Sequence, residues 1–258
     1  MPNFPRTDLA VEAEAIHRSA AAVTELPGVR AEETNRRGFS VTEVHVLDAA
    51  GENALCKPIG DYYTIALDPL LRREDDAFEN AAQTLAELLR GVLPLMPDAS
   101  VLVVGLGNRA ITPDAVGPDA IDSVMVTRHL REQLPEHFGQ FRPVAALAAG
   151  VLGTTGVESA DMIRALAAYL HPDAIIAVDA LACAELDRLG RTVQLTDTGI
   201  TPGSGVGNDR AGLSRDTPAP LWASGSRPSA RRPSLTPAAF RTTPAQSRCS
   251  SHRAISTP

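Results

Sequence analysis

Short apolar runs alternate with amphipathic segments in the middle of the chain. Residues 101–104, 144–147, 174–178 and 192–196 form the runs, and segments 119–134 and 157–170 repeat apolar residues at helical spacing. Runs without a polar face are typical of strands buried on both faces of a parallel sheet. The pattern therefore predicts four strands joined by helices over residues 101–196, the last helix being short and closed by Gly190.

The chain ahead of this region has a different rhythm. Residues 39–47 and 62–67 are rich in β-branched and aromatic residues and roughly alternate, which predicts a β-hairpin. Residues 77–93 carry apolar residues at three- and four-residue steps, which predicts an amphipathic helix ending before Pro94. The expected fold is α/β, with three layers around a mostly parallel central sheet and an N-terminal β-hairpin region.

The composition changes near residue 217. All 31 acidic residues lie at or before Asp216, so residues 1–216 carry 18 basic and 31 acidic residues and a net charge of -13. Residues 217–258 contain six arginines, seven prolines and no acidic residue. This proline density predicts a disordered tail with no stable helix or strand beyond a short piece.

Charge and composition exclude several functions. The overall net charge of -7 provides no basic field for a phosphate backbone, so we expect no direct nucleic-acid binding. No run of eighteen apolar residues and no signal-peptide pattern is present, which predicts a cytoplasmic protein without a membrane partner. The three cysteines and six histidines lack the spacing of metal ligands, so no metal or cofactor is expected.

Two aspartates follow predicted strands that could be neighbours. Asp114 lies in the TPDAVGP segment after the first strand, and Asp179 directly follows the third. Ligands of an open α/β sheet gather beyond the carboxyl ends of its strands. Two carboxylates sharing a proton there can orient a water and protonate a leaving amine, as in acid peptidases. Two alternatives stay open: each aspartate caps the following helix, or the pair holds a metal ion that activates water.

Glycine-rich turns follow the same strands. They are GLGN at 105–108, GVLGTTG at 150–156 and, after DTG at 197–199, PGSGVGN at 202–208. Such turns allow an extended peptide to approach the backbone closely. A pepsin-like role for DTG is rejected because that fold is almost wholly β. The alternative is a non-catalytic nucleotide-binding module, although the turns lack the lysine of a Walker loop. Arg109 and Arg210 are the basic residues beside these turns that could face a phosphate.

Five motifs in order resemble the germination protease family of spore-forming bacteria. They are RTDLAVEA from residue 6, VVGLGN with TPDAVGP, GVLGTTGVES, VDALA, and QLTDTGITPGSGVGN, and the match runs from Arg6 to about Asp216. The resemblance implies an endopeptidase that degrades small acid-soluble spore proteins in the spore core. It also implies a homotetramer, made as a self-processing zymogen, with a core similar to hydrogenase-maturation peptidases.

The resemblance also implies roles for individual residues. The catalytic pair falls on Asp114 and Asp179, and self-processing falls between Asp8 and Leu9, so that residues 1–8 form a propeptide and residues 9–216 the peptidase domain. Peptide binding is expected along the glycine-rich turns. The residues expected to bind substrate are Gly105, Gly107, Asn108, Gly150, Gly153, Asp197, Gly203 and Gly205.

The chain departs from the family after the GSGVGN segment. There the family continues with an apolar strand and a GVPTVVDA-like segment. If this stretch of the gene has GC-rich codons, reading it one base out of frame would give a peptide close to that segment. Lys57 is the only lysine beside 23 arginines, which supports a GC-rich gene. We therefore expect the chain from about Thr217 onward to be a frameshift product. Such a product would leave a central strand of the sheet with an unpaired edge. An inactive product of this kind is the third alternative for the function of the chain.

Overall fold

A computed structural model describes residues 7–200 and the backbone of residues 213–214 and 238–242. Eight strands form one mixed sheet in the order β1-β2-β3-β7-β10-β6-β4-β5, and β8 pairs with β9 in a second, two-stranded sheet. The strands are β1 Val29–Arg36, β2 Phe39–Val46, β3 Gly60–Ala66, β4 Val101–Leu106, β5 Val144–Gly150, β6 Ala174–Ala180, β7 Thr192–Thr196, β8 Gly199–Ile200, β9 Leu213–Ser214 and β10 Ala238–Thr242.

Helices connect and cover these strands. They are α1 Ala10–Ala21, α2 Ala49–Leu55, α3 Asp68–Leu71, α4 Ala77–Val92, α5 Val116–Asp122, α6 Arg128–Gln133, α7 Pro135–Phe138, α8 Leu152–Thr155 and α9 Ser159–Leu170, with 3₁₀ turns at Thr112–Asp114 and Leu186–Arg188. The predicted helices at 77–93 and 157–170 are confirmed as α4 and α9. The predicted helix at 119–134 is divided into α5 and α6, because Thr127 exchanges backbone and hydroxyl hydrogen bonds with Val144 at the start of β5.

The α/β fold is confirmed. Strand β4 pairs in parallel with β5 on one side and β6 on the other, as the apolar runs predict. The fourth predicted strand, β7, instead runs antiparallel to β3 and β10, so it does not extend the parallel series. The reason is the short connection from β6, which holds only a 3₁₀ turn, whereas parallel neighbours need a longer crossover, usually a helix.

The antiparallel half of the sheet differs from the predicted hairpin in one respect. Strands β2 and β3 pair as expected, but helix α2 connects them. The tight hairpin is formed by β1 and β2, which Arg37 and Gly38 join with φ values of 52° and 87°. The sequence pattern missed β1 because most of its residues are polar and exposed.

The structure corrects the expectation of an unpaired sheet edge. The backbone of β10 lies between β6 and β7, parallel to β6 and antiparallel to β7. A five-residue segment of the tail is therefore enough to occupy this place in the sheet. The other residues after 216 lie outside the described part of the chain, and so does the remainder of the predicted disordered tail.

Two main apolar clusters hold the layers together. One packs α4 against the antiparallel half of the sheet through Leu88, Phe39 and Leu195. The other packs α9 against the parallel half through Ile163 and Leu102. Helices thus cover the sheet and leave the carboxyl edge of β4 and β6 to be shaped by loops.

Candidate active site

The carboxyl ends of β4 and β6 bring the two predicted catalytic aspartates to one edge of the sheet. Gly105 of β4 pairs with Val178 of β6, so Asp179 follows level with Leu106. The 3₁₀ turn that ends at Asp114 has Cα atoms within 8 Å of β6. The expectation that both carboxylates follow neighbouring strands is met.

Close backbone packing fixes this arrangement. A Cβ atom added to Gly117 in α5 would lie 2.1 Å from the Leu106 carbonyl oxygen and 2.6 Å from that of Val178. One added to Gly105 would lie 2.2 Å from the Gly117 carbonyl oxygen. Because α5 begins two residues after Asp114, this contact sets the position of Asp114 relative to β6.

The GLGN turn holds the carboxylate of Asp114, which is half-buried. The backbone N–H of Asn108 donates to Asp114 Oδ2 at 2.8 Å. Gly107 has a φ of +114°, and a Cβ atom there would lie 2.1 Å from the Asp114 carbonyl oxygen, so only glycine fits. Gly105, Gly107 and Asn108, which the sequence assigned to substrate, therefore shape the turn that positions Asp114.

Asp179 has different surroundings. Its side chain is buried, with 5% of the residue exposed, and its Oδ1 accepts the N–H of Ala180 at 2.8 Å. Paired carboxylates in unequal surroundings can divide the roles of acid and base. The site thus holds one buried and one half-exposed carboxylate.

Gly150 and Gly153 lie on the β5 side of this edge. Gly150 pairs with Leu106 across β4 and β5, and its carbonyl oxygen accepts from Ser159 Oγ at 2.9 Å. Gly153 is exposed in α8, and a Cβ atom there would have open space around it. Gly150 is thus level with the end of β4, whereas Gly153 lies on the surface beyond it.

Asp197 lies at the opposite edge of the sheet, because β7 runs antiparallel to β10 and hence to β6. Its Oδ1 accepts the N–H of Asp61 at 2.9 Å and would lie 2.4 Å from a Cβ atom on Gly60. The structure therefore places Asp197 at the start of β3 and not with the other site residues. Gly203 and Gly205 lie outside the described residues.

The predicted processing site lies along the loop that follows β6. Asp8 donates its N–H to the Ala182 carbonyl oxygen at 2.9 Å, and its Oδ2 accepts the Ala182 N–H at 3.0 Å. Leu9 is fully buried and packs with Val11 and Leu181. The Asp8–Leu9 bond is therefore anchored to residues that come directly after the strand of Asp179.

Two polar side chains that the sequence analysis did not single out hold the carbonyl oxygen of Asp8. Lys57 Nζ donates to it at 3.0 Å and Gln194 Nε2 at 3.3 Å. Gln194 is buried, and its Oε1 accepts the Ala10 N–H at 2.8 Å. Two features of the sequence could have pointed to these contacts. Lys57 is the only lysine of the chain, and Gln194 is a polar residue within a run predicted to be a buried strand.

Arg109 was the basic residue nearest to the GLGN turn and a possible phosphate ligand. In the structure it donates to Asp122 Oδ1 at 3.0 Å and to the Pro118 carbonyl oxygen at 2.9 Å. The hydrogen bond from Arg109 lowers the pKa of the Asp122 carboxyl from its ordinary value. Arg109 is thus engaged with α5, and Arg210, the other candidate, lies outside the described residues.

Two further features are absent from the part of the chain that the structure describes. There, no three His, Cys, Asp or Glu side chains come together as a group able to hold a metal ion. None of the helices described combines the length and apolar character needed to cross a bilayer.

The fold and the site define the class of this protein. It is an α/β domain with two aspartates at the carboxyl ends of neighbouring parallel strands. The family model for germination protease matches residues 6–225, and the chain belongs to that family. The resemblance inferred from the five motifs is thereby confirmed.

Three relatives illustrate the similarity. The chain is 44% identical over 213 residues to the germination protease of Caldanaerobacter subterraneus subsp. tengcongensis, and this alignment covers 82% of the chain and 64% of the relative. It is 44% identical over 213 residues to that of Clostridium tetani, covering 82% and 66%. It is 40% identical over 217 residues to that of Bacillus cereus strain B4264, covering 82% and 59%. The chain thus spans less than two thirds of the length of these relatives.

Proposed function

We propose that this chain is an endopeptidase that hydrolyses small acid-soluble spore proteins during spore germination, with the carboxylates of Asp114 and Asp179 as its catalytic pair. The observation that carries the proposal is the packing of the Asp114 turn against the strand of Asp179 in a member of the germination protease family.

The surroundings of the two carboxylates suggest their roles. Asp114 is half-exposed and accessible to water, so it takes a proton from the attacking water, whose oxygen bonds to the peptide carbon. Asp179 is buried at the end of the neighbouring strand β6 and donates a proton to the amide nitrogen as the C–N bond breaks. In a metal-assisted version, the same carboxylates would hold a cation that activates the water, and a chelator would then stop the reaction.

The proposal includes processing, assembly and location. We propose that the chain cuts itself between Asp8 and Leu9, assembles as a homotetramer and acts in the cytoplasm of the spore core. It would bind spore proteins as substrates, without direct contact to nucleic acid or membrane. The likeness of the Asp-Leu-Ala sequence at residues 8–10 to the family's substrate cleavage sequence supports self-processing.

The test is incubation of the purified chain with a small acid-soluble spore protein, followed by intact-mass analysis. We expect cleavage after an acidic residue, and Asp114→Asn or Asp179→Asn should each slow both self-processing and substrate cleavage by about 10²- to 10⁴-fold. Asp122→Asn is the matched control, because this nearby carboxylate pairs with Arg109 on the surface. A near-wild-type rate in either catalytic variant would contradict the assignment.

A second chain, with its reading frame restored after residue 216, isolates the effect of the tail. Cleavage by the restored chain alone would support the frameshift interpretation, and cleavage by both would make the tail dispensable. Cleavage by neither, with both chains folded, would favour the nucleotide-binding alternative, which a nucleotide-induced rise in Tm would then test.

A further inference from the structure

Glu12 has a buried carboxylate that the proposed reaction does not use. The residue is 1% exposed and accepts the backbone N–H groups of Ala184 at 2.7 Å and Glu185 at 3.2 Å. Arg188 Nε lies 3.9 Å from Glu12 Oε1. Since Ala184 is five residues after Asp179, Glu12 fixes the loop that leaves the proposed catalytic strand.

The hydroxyl of Thr7 connects Glu12 to the predicted processing site. Thr7 Oγ1 donates to Glu12 Oε2 and accepts the N–H of Leu9 at 3.0 Å. Leu9 is the N-cap residue of α1, and Glu12 is the third residue of that helix. In a capping box, a glutamate at this third position accepts the N–H of the N-cap residue directly. Here the Thr7 hydroxyl lies between the Leu9 N–H and the Glu12 carboxylate and bonds to both.

We propose that hydrolysis of the Asp8–Leu9 bond creates an α-ammonium group on Leu9 that replaces the Thr7 hydroxyl as the partner of Glu12, which makes Glu12 a positioning residue for the loop after Asp179. This inference rests on the proposed self-processing. The reaction consumes one water and leaves an α-carboxylate on Asp8 and an α-ammonium on Leu9. Residues 1–8 depart with Thr7, while Leu9 stays in its apolar cluster.

The new ion pair compensates for contacts that processing removes. The departure of Asp8 breaks both of its hydrogen bonds to Ala182, together with those from Lys57 and Gln194. The hydrogen bonds from Ala184 and Glu185 to Glu12 and the packing of Leu181 remain. Because the two groups occupy capping-box positions, Glu12 can reach the Leu9 nitrogen without a change in α1.

Charged groups of both signs lie around Glu12. Arg188 Nε is 3.9 Å from Glu12 Oε1 but closer, 3.1 Å, to Glu185 Oε2, and the thiol of Cys183 also faces Glu12. Lys57 donates to the carbonyl oxygens of Thr7 and Asp8 in the segment that leaves. Burial and the charge of Glu12 raise the pKa of the Cys183 thiol, so the carboxylate influences the loop electrostatically. A buried carboxylate gains more from a nearby ammonium than an exposed one, because water screens the pair less.

The test uses chains that begin at Leu9. The α-amino group of Leu9 is acetylated at a series of pH values, and the reaction is followed by peptide mass spectrometry with Lys57, the only lysine, as internal reference. We expect a pKa of about 9 or higher for this group, against about 8 for an ordinary α-amino group. Glu12→Gln should lower that pKa by about one or more, whereas Glu14→Gln, on the same helix, should leave it unchanged.

Equal pKa values in the parent chain and in Glu12→Gln would overturn the inference. If Glu12→Gln does not fold, the parent chain decides, because a Leu9 pKa at or below about 8 also contradicts the ion pair. The two proposals fail separately. A raised Leu9 pKa in a chain that cleaves no substrate would refute the proposed function alone, and an ordinary pKa in an active chain would refute the ion pair alone.

Discussion

Gly117 offers a direct test of how the fold positions the proposed active site. Its Cα faces two strands at once, and a Cβ atom there would lie 2.1 Å and 2.6 Å from the carbonyl oxygens of Leu106 and Val178. Both contacts are with backbone atoms, which cannot rotate away as a flexible side chain can. In Gly117→Ala, α5 must therefore move away from β4 and β6.

The size of the effect follows from two opposing terms. Overpacking of this kind costs about 3 kcal/mol at the upper end of the usual range. Replacing a helical glycine by alanine stabilises the helix by about 1 kcal/mol. The net loss in the free energy of unfolding is about 2 kcal/mol, and with a urea slope of about 2.5 kcal/mol/M the unfolding midpoint falls by about 0.8 M.

The assay is urea denaturation followed by circular dichroism, with Gly91→Ala as the matched control. Gly91 also lies in a helix, α4, but a Cβ atom there would have open space, so its substitution should stabilise the chain by about 0.5–1 kcal/mol. A displacement of Asp114 by about 1 Å should also slow the proposed proteolysis roughly 10²-fold. A midpoint in Gly117→Ala that is unchanged, or raised as in the control, would refute the packing argument.

Two further predictions concern residues around the predicted processing site, Gln194 in β7 and Cys183 in the loop after β6. Gln194→Leu leaves the N–H of Ala10 buried without its acceptor and should cost about 1–3 kcal/mol, so an unchanged urea midpoint would contradict the role of this contact. Burial, and then the charge of Glu12, raise the pKa of the Cys183 thiol, so Cys183 should react more slowly with iodoacetamide at pH 8 than the exposed Cys56. Peptide mass spectrometry measures both rates; Glu12→Gln should accelerate Cys183 alone, and equal rates in the parent chain would contradict the expectation.

The sequence pattern predicts the parallel half of the sheet well because the relevant physics is local. A short apolar run must be buried on both faces, and the polar residue that follows it must lie at the strand end. That argument selects Asp179 at the end of its apolar run and Asp114 in the loop after another, and the structure pairs the two strands concerned. It also predicts α4, whose apolar spacing is regular over the whole helix.

The same local argument fails where direction or distance decides. The direction of β7 depends on whether a helix can fit between β6 and β7. The sequence pattern predicts a parallel β7 and therefore places Asp197 with the other site residues, whereas it lies at the opposite edge of the sheet. The backbone N–H groups that Glu12 and Gln194 accept are more than 170 residues away in the chain, so no spacing rule connects them. Buried polar side chains of this kind reveal their partners only in the folded structure.

The contacts of the N-terminal segment bear on how processing and catalysis could be coupled. In the proposed cleavage, helix α1 would stay fixed, because Ala10 and Ala13 pack with Val44 of β2 independently of residues 1–8. The new terminus at Leu9 therefore remains beside Glu12 at a high effective concentration, and the ion pair forms without the cost of ordering a free chain end. Because the pair is buried, salt should weaken it little, unlike the exposed pair of Arg109 and Asp122. Cleavage at one bond would then exchange one set of restraints on the loop after Asp179 for another, while the sheet beneath stays unchanged.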